Sequence, residues 1–267
     1  MNTISATASA AVVIGARHLR AARNGQDAAA AWMGRLRSDG ATHGDALADG
    51  GDAAVVVVCD GCGGAASSEV GARLGAQLVV RSLVAQLHAG ARPGDETTWA
   101  AVRRDVARAL ARIVDELPGD RETAIHDQFL FTIVAAAVAA GEAAVWALGD
   151  GAYWLGGDTH VLGPFADNQP PYLAYDLLGE PSPAHLEVAP AACKAIVIAT
   201  DGAIELPMGL APLSSRRFAE HPDALRRHLA VLARVGERID WTERCVVRTP
   251  ALLQDDCAIG VLRWGAV

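Results

Sequence analysis

Three apolar runs in this chain end in Asp-Gly. Residues 55–59 lead to Asp60-Gly61, residues 145–149 to Asp150-Gly151, and residues 195–200 to Asp201-Gly202. A further acidic pair, Asp255-Asp256, stands just before the apolar run 257–264. Such runs read as buried strands, and strand ends are where a fold can gather side chains distant in sequence. Carboxylates gathered together repel one another unless a cation holds them. The pattern predicts a site for hard divalent metals built from strand ends.

Two other chemistries fit less well. Asp60-Gly61-Cys62-Gly63-Gly64 precedes a helical pattern, as a phosphate loop would, but it lacks the Lys-Ser/Thr of a nucleotide-binding loop and the spacing of a dinucleotide fingerprint. Cys59 and Cys62 form a lone CxxC, whereas a structural zinc needs four ligands and no second CxxC or paired His is present. Both cysteines read as strand-end residues. Five cysteines in an irregular arrangement point to a reducing compartment.

The elements that position these residues follow from periodicity. Residues 11–15 and 27–32 read as short strands flanking a loop that carries His18, Arg20, Arg23, Asn24 and Asp27. Residues 38–52, rich in Gly and Asp, read as a turn or hairpin loop, so Asp39-Gly40 and Asp49-Gly50 are ordinary turn signals. A strand over 53–59 follows. Val70, Leu74 and Leu78, with Val79, Leu83 and Leu87, then mark one helix. Val102, Val106, Leu110, Ile113 and Leu117 mark a second, with Thr97 or Thr98 as its cap. Residues 129–155 are strand-like around a turn at Ala140-Gly141-Glu142, which indicates antiparallel pairing. Residues 156–190 hold six prolines and read as an irregular, flap-like insertion. A strand over 195–200, a helix marked by Leu225, Leu229 and Leu232, and a last strand over 257–264 complete the chain. The class is α+β, antiparallel strands interrupted by helices, in a single domain over 1–267 with residues 1–10 flexible.

At 267 residues the chain can bury a large core, built here from Ala and Val because aromatics are few. A net charge of −8, with no basic run, excludes a nucleic-acid binder. Arg103, Arg104, Arg108, Arg112, Arg226 and Arg227 read as solvated helix faces. The longest apolar stretch, 133–148, is broken by Gly141 and Glu142 and is too short to span a bilayer, and residues 1–11 lack the features of a signal peptide. A cytoplasmic monomer is expected.

Together these residues resemble the metal-dependent serine/threonine phosphatases of the protein phosphatase 2C (PPM) family, in particular its bacterial branch. Asn24-Gly25-Gln26-Asp27-Ala28 is similar to the family's first acidic motif, and Asp60-Gly61-Cys62-Gly63-Gly64 to its Asp-Gly-His-Gly-Gly motif. Gly149-Asp150-Gly151, Ala199-Thr200-Asp201-Gly202 and Asp255-Asp256 match the later three. Any one Asp-Gly is more often a turn; five motifs in the family's order, from about residue 15 to 264, are a specific signal.

The resemblance implies a four-layer α-β-β-α sandwich, two antiparallel sheets packed face to face with helices outside. It implies hydrolysis of phosphoserine and phosphothreonine in proteins, with two or three Mn²⁺ or Mg²⁺ ions. Asp60 would bridge two ions, the Gly61 carbonyl would bind one, and Asp201 and Asp255 would complete the other. Asp150, with Asp201, would serve a third, and Asp27 would hold metal-bound water. Two such metals about 4 Å apart make a bridging hydroxide at neutral pH and neutralise the phosphoryl oxygens. The implied partners are a phosphorylated protein and a Ser/Thr kinase, and residues 156–190 would contact the substrate.

The chain departs from the family at two places. Cys62 stands where the family often has the His thought to protonate the leaving alkoxide. Ala22 stands where many members carry the Arg that grips phosphate, which leaves Arg20 and Arg23 as candidates. His18 and His126 are given no role. The alternative readings are a phosphatase of another phosphoester and a catalytically weak module of the same fold that binds phosphoproteins or regulates a kinase. The retained carboxylates count against the weak module, since without metal they repel.

Overall fold

The computed structural model describes residues 4–36 and 52–266. The turn expected over 38–52, with Asp39 and Asp49, therefore lies almost wholly outside the described residues. In chain order the first elements are β1 (Ile4–Val13), α1 (Ala16–Arg20), β2 (Ala28–Arg35), β3 (Asp52–Cys59), α2 (Ser68–His88), α3 (Glu96–Glu116) and α4 (Arg121–Gln128). Then come β4 (Ile133–Ala139), β5 (Glu142–Leu148), β6 (Gly151–Leu155), β7 (Asp158–Leu162), β8 (His185–Val188) and β9 (Ala195–Ala199). The last are α5 (Arg216–Glu220), α6 (Pro222–Leu232), β10 (Gly236–Asp240), β11 (Cys245–Thr249) and β12 (Cys257–Ala266).

One five-stranded sheet has the order β1-β12-β9-β6-β7 and the other β2-β3-β4-β5-β8, with every pair antiparallel. The alternation within β3 and β4 explains how one strand serves two cores. Ala54, Val56 and Val58, with Val134, Ala136 and Val138, face the other sheet and meet Ile196, Ile198, Ala258 and Leu262. Val55, Val57 and Cys59, with Ile133, Ala135 and Ala137, face outward onto α2 and α3. On the other sheet Val197, Ala199, Ile259 and Val261 face outward onto Leu225 and Leu229 of α6. Period-two side chains on strands buried on both faces give near-continuous apolar runs. The four-layer α-β-β-α sandwich is therefore the observed architecture.

Several local expectations are corrected. Residues 4–10, expected to be flexible, form most of β1, which pairs with β12 from Ile4↔Ala266 to Val13↔Cys257. Their Ala, Ser and Thr side chains lack the bulk that marks a strand in sequence, yet small residues suit the narrow space between the sheets. In α2 the buried face is Gly71, Ala72, Gly75, Ala76, Val79, Leu83 and Leu87, while Val70 is exposed. α3 starts after Asp95, with no side-chain cap, and Thr98 Oγ1 instead donates to the Arg92 carbonyl at 2.8 Å.

Residues 156–190, expected to be a largely irregular, flap-like insertion, are irregular over most of their length but also contribute to both sheets. They contain β7 and β8, one edge strand for each sheet, and a 3-10 turn over Leu173–Leu178. Arg103 is not a solvated helix residue. Its guanidinium grips Asp176 of that turn through two 2.6 Å bonds and donates to the Ser182 carbonyl at 2.7 Å. Such a bidentate pair, largely shielded from solvent, pins the crossing segment to α3.

Candidate metal centre

Strand register puts the acidic residues on one rim of the sandwich. Ala28, which follows Asp27, pairs with Cys59, which precedes Asp60. The Thr132 N–H donates to the Asp60 carbonyl, and the next residue, Ile133, pairs with Leu148, two before Asp150. On the facing sheet Ala199 pairs with both Ala152 and Ile259, so the starts of β6 and β12 flank the end of β9. Asp150, Asp201 and Asp255 thus arrive beside one another from three neighbouring strands. Gly149 makes the β5–β6 corner possible: its φ is +103°, and a Cβ there would lie 2.6 Å from the Thr132 side chain.

The result is a cavity of about 480 Å³ lined by Asp27, Asp60, Gly61, Asp150, Asp201 and Asp255, together with Arg23, Cys62, Thr132 and Tyr172. Every residue expected to hold metal is there. Asp27 is buried and accepts the Thr200 hydroxyl at 2.6 Å, a bond that joins the two sheets. Its carboxyl neighbours that of Asp60, which in turn neighbours Asp201. Asp150 stands beside the Thr132 side chain.

The two members of the last acidic pair do different work. Asp256, 3 % exposed, accepts the N–H groups of Gly15 at 2.8 Å and Gln26 at 2.6 Å, and His18 Nδ1 lies 2.8 Å away. Asp255, 55 % exposed, opens into the cavity, with His18 Nε2 3.7 Å from its Oδ1. His18, Asp255 and Asp256 lie close enough to share an ion. The oxygens of Asp256 are already taken by three N–H donors, so this trio is a hydrogen-bonded support. Gly15 closes it: a Cβ there would fall 2.1 Å from the Asp255 carbonyl carbon.

Of the two candidate arginines, only Arg23 lines the cavity, with a guanidinium nitrogen 3.0 Å from the Gly63 carbonyl. Arg20 is turned away onto the Ala16 carbonyl and Gln254, and is withdrawn as a phosphate ligand. His126 sits on α4 beside Glu122, away from the cavity. Sequence reasoning gave Asp256, Gln26, Thr132, Tyr172 and His18 no role, although Asp256 and Gln26 lie within two of the motifs it recognised.

Burial, then the neighbouring carboxylates, shifts these acids. Asp27 is raised to about 8, by burial first and by Asp256 and Asp201 next, against the Thr200 bond that lowers it. Asp150 is raised to about 6 by burial and by Asp201. Asp60 stands well above the usual carboxylate range, and Asp201 is raised too, in each case chiefly by burial. At about 4 Å, two like charges repel by roughly 4 kcal/mol at an effective dielectric of 20. Protonating an ordinary aspartate at pH 7 costs about as much. Without a cation some of these groups therefore carry protons.

An all-oxygen donor set short of positive charge fits Mn²⁺ or Mg²⁺ and not a softer metal. Two buried thiols do not compete. Cys59 and Cys257 are pushed well above the usual thiol range by burial, and all five cysteines are free. Cys59 points into the helix-side core whereas Cys62 lines the cavity, so the CxxC pair is split between two environments.

A family model described as Protein phosphatase 2C matches residues 14–241. A search of curated proteins finds no match. Among solved structures, the serine/threonine phosphatase Stp1 from Staphylococcus aureus is similar, with TM-score 0.53 and 14% identity over 98% of this chain and 97% of that one. Serine-threonine phosphatase 2C from Toxoplasma gondii aligns with TM-score 0.57 and 12% identity over 99% and 98%. PppA, described as a key regulatory component of T6SS in Pseudomonas aeruginosa, aligns with TM-score 0.55 and 16% identity over 99% and 100%. At these identities the structural likeness establishes the fold.

Proposed function

This chain belongs to the protein phosphatase 2C family, and from that premise we propose that it hydrolyses phosphoserine and phosphothreonine in proteins with two or three Mn²⁺ or Mg²⁺ ions. The observation that carries this reading is the convergence of Asp27, Asp60, Asp150, Asp201 and Asp255, from five strand ends, on one cavity whose wall also carries Arg23. Asp60, the Gly61 carbonyl, Asp201 and Asp255 would hold two ions, and Asp150 with Asp201 a third. When bound, such ions acidify water to a nucleophile at neutral pH and neutralise phosphoryl oxygens.

The chain's own residues then have distinct tasks. Arg23 needs only to leave the Gly63 carbonyl to offer two N–H groups to a phosphate. Asp27, fixed by Thr200, would hold water at the ions. Asp256 orients the loop of Gly15, His18 and Gln26 and so sets the wall on which Asp255 stands. The partner is a phosphorylated protein, the product of a Ser/Thr kinase. No helix among the described residues is long and apolar enough to cross a membrane.

The deciding assay is phosphate release from a phosphothreonine peptide in Mn²⁺, with Asp201→Asn as control. Turnover in the wild type and a loss of about 10²-fold or more in the variant are expected. An inactive wild type across metals and peptides would favour the binding module, and an unaffected Asp201→Asn would mean the centre is misplaced.

Cys62 bears on rate. A thiol matches general acid catalysis near pH 7 less well than an imidazole. Cys62→His is therefore expected to raise turnover on phosphopeptides while leaving aryl phosphates, whose leaving groups need little protonation, nearly unchanged. An equal change on both substrates would rule out a proton-supply role for this position.

A further inference from the structure

When an alkyl phosphate is hydrolysed, a bond forms between water oxygen and phosphorus, the ester P–O bond breaks, and its electron pair stays on the leaving oxygen. The proton lost by the water ends on that oxygen. A hydrogen-bond donor aimed at the leaving oxygen lowers the barrier, because it meets the charge as it develops.

The side-chain donors described in the cavity wall can be compared by what already holds them. His18 is bound to Asp256 and faces Asp255. The Gln26 amide donates to the Cys62 carbonyl at 3.1 Å and to Ser68 at 2.9 Å. Thr132 stands against the Asp150 carboxylate, and Arg23 carries the charge suited to the phosphate itself. Tyr172 is the exception: it lines the cavity beside Cys62, whose thiol sulfur is the weakest acceptor in the wall. An oxygen bearing negative charge is a far better acceptor for its hydroxyl.

Tyr172 is also the best braced of these groups. It is 7 % exposed, and the next two residues, Leu173 and Ala174, are fully buried. The Tyr175 ring packs edge-on against it at 5.6 Å and 68°. Asp176, four residues on, is clamped by Arg103. The ring is fixed and only the O–H bond has to rotate. Burial raises the phenol far above its usual range, so it remains a protonated donor.

We propose that Tyr172 is a catalytic residue of this site, donating a hydrogen bond to the leaving oxygen of alkyl phosphate substrates. The inference rests on the phosphatase reading above. Tyr172 keeps its proton throughout, and the leaving group is protonated at the expense of the attacking water.

The test is Tyr172→Phe in the Mn²⁺-loaded protein, with a phosphothreonine peptide and a series of aryl phosphates including p-nitrophenyl phosphate. Turnover of the peptide is expected to fall about tenfold or more, with KM unchanged. p-Nitrophenyl phosphate should stay within about twofold, and the rate across the aryl series should depend more steeply on leaving-group pKa. An equal loss on both substrate types, or no loss on the peptide, would overturn the proposal. A wild type active on peptide beside an unaffected Tyr172→Phe sinks this role alone, whereas a wild type inactive on every phosphoester sinks the phosphatase reading as well.

Discussion

Asp60→Asn is expected to lower metal-dependent phosphate release by about 10³-fold or more and, in the same molecule, to raise the melting temperature of the metal-free protein at pH 8. The first effect follows from position. Asp60 lies in the cavity between Asp27 and Asp201, where it would bridge two ions. A thousandfold loss corresponds to about 4 kcal/mol of transition-state stabilisation. The second effect follows from charge. Burial and the nearby Asp27, Asp201 and Asp150 all disfavour an ionised Asp60, and an amide carries no charge to desolvate or repel. Activity in Mn²⁺ and melting in chelator are independent readouts. Normal turnover would remove Asp60 from the metal centre. A lower melting temperature in chelator would show that carboxylate repulsion is not what strains the metal-free protein.

The second large effect concerns pH. Asp27 is held at about 8 and Asp150 at about 6, both above the ordinary carboxylate value. Between pH 4 and 8 the folded protein therefore binds more protons at these sites than the unfolded chain. Stability rises with pH only where the unfolded state binds more protons, so here it falls. The metal-free protein should be most stable near pH 5 and lose a few kcal/mol by pH 8, a tenfold change in proton affinity being worth about 1.4 kcal/mol. For a chain of this size that is a fall of roughly 10 °C in melting temperature. Cations that bind only the folded, ionised site act oppositely, so added Mn²⁺ should raise the melting temperature far more at pH 8 than at pH 5. Thermal melts at both pH values, with and without Mn²⁺, test this. A metal-free melting temperature that climbs from pH 5 to pH 8, or a slope unchanged in Asp27→Asn, would contradict the assignment.

The parts of this protein that were legible in its sequence are those where one local pattern has one physical solution. Val55 to Val58 can be buried only on both faces of a strand, and the structure places them between a helix layer and a second sheet. The helix marked by Leu225, Leu229 and Leu232 needed only its period. Where the chain uses small residues the signal faded. β1 looked flexible because Ala6 and Ala8 carry little hydrophobic weight, and in α2 Val79, Leu83 and Leu87 are buried as expected while exposed Val70 was misplaced, because Gly71, Gly75 and Ala76 form the start of its contact face. The β10–β11 hairpin was missed because its residues are largely exposed and show no buried alternation.

By itself the sequence determined which acidic residues stand at strand ends and in what order, and that follows from residue type and from strands having ends. Tertiary structure decided everything that depends on which side chain faces which. It turned Arg23 into the cavity and Arg20 onto Gln254, gave Asp256 to the loop and left Asp255 open, and brought Tyr172 beside Cys62 across more than a hundred residues. These choices depend on strand register and on loops pinned by contacts such as Arg103 to Asp176. A shift of one residue in register would reverse them, and no local property of the sequence records that register.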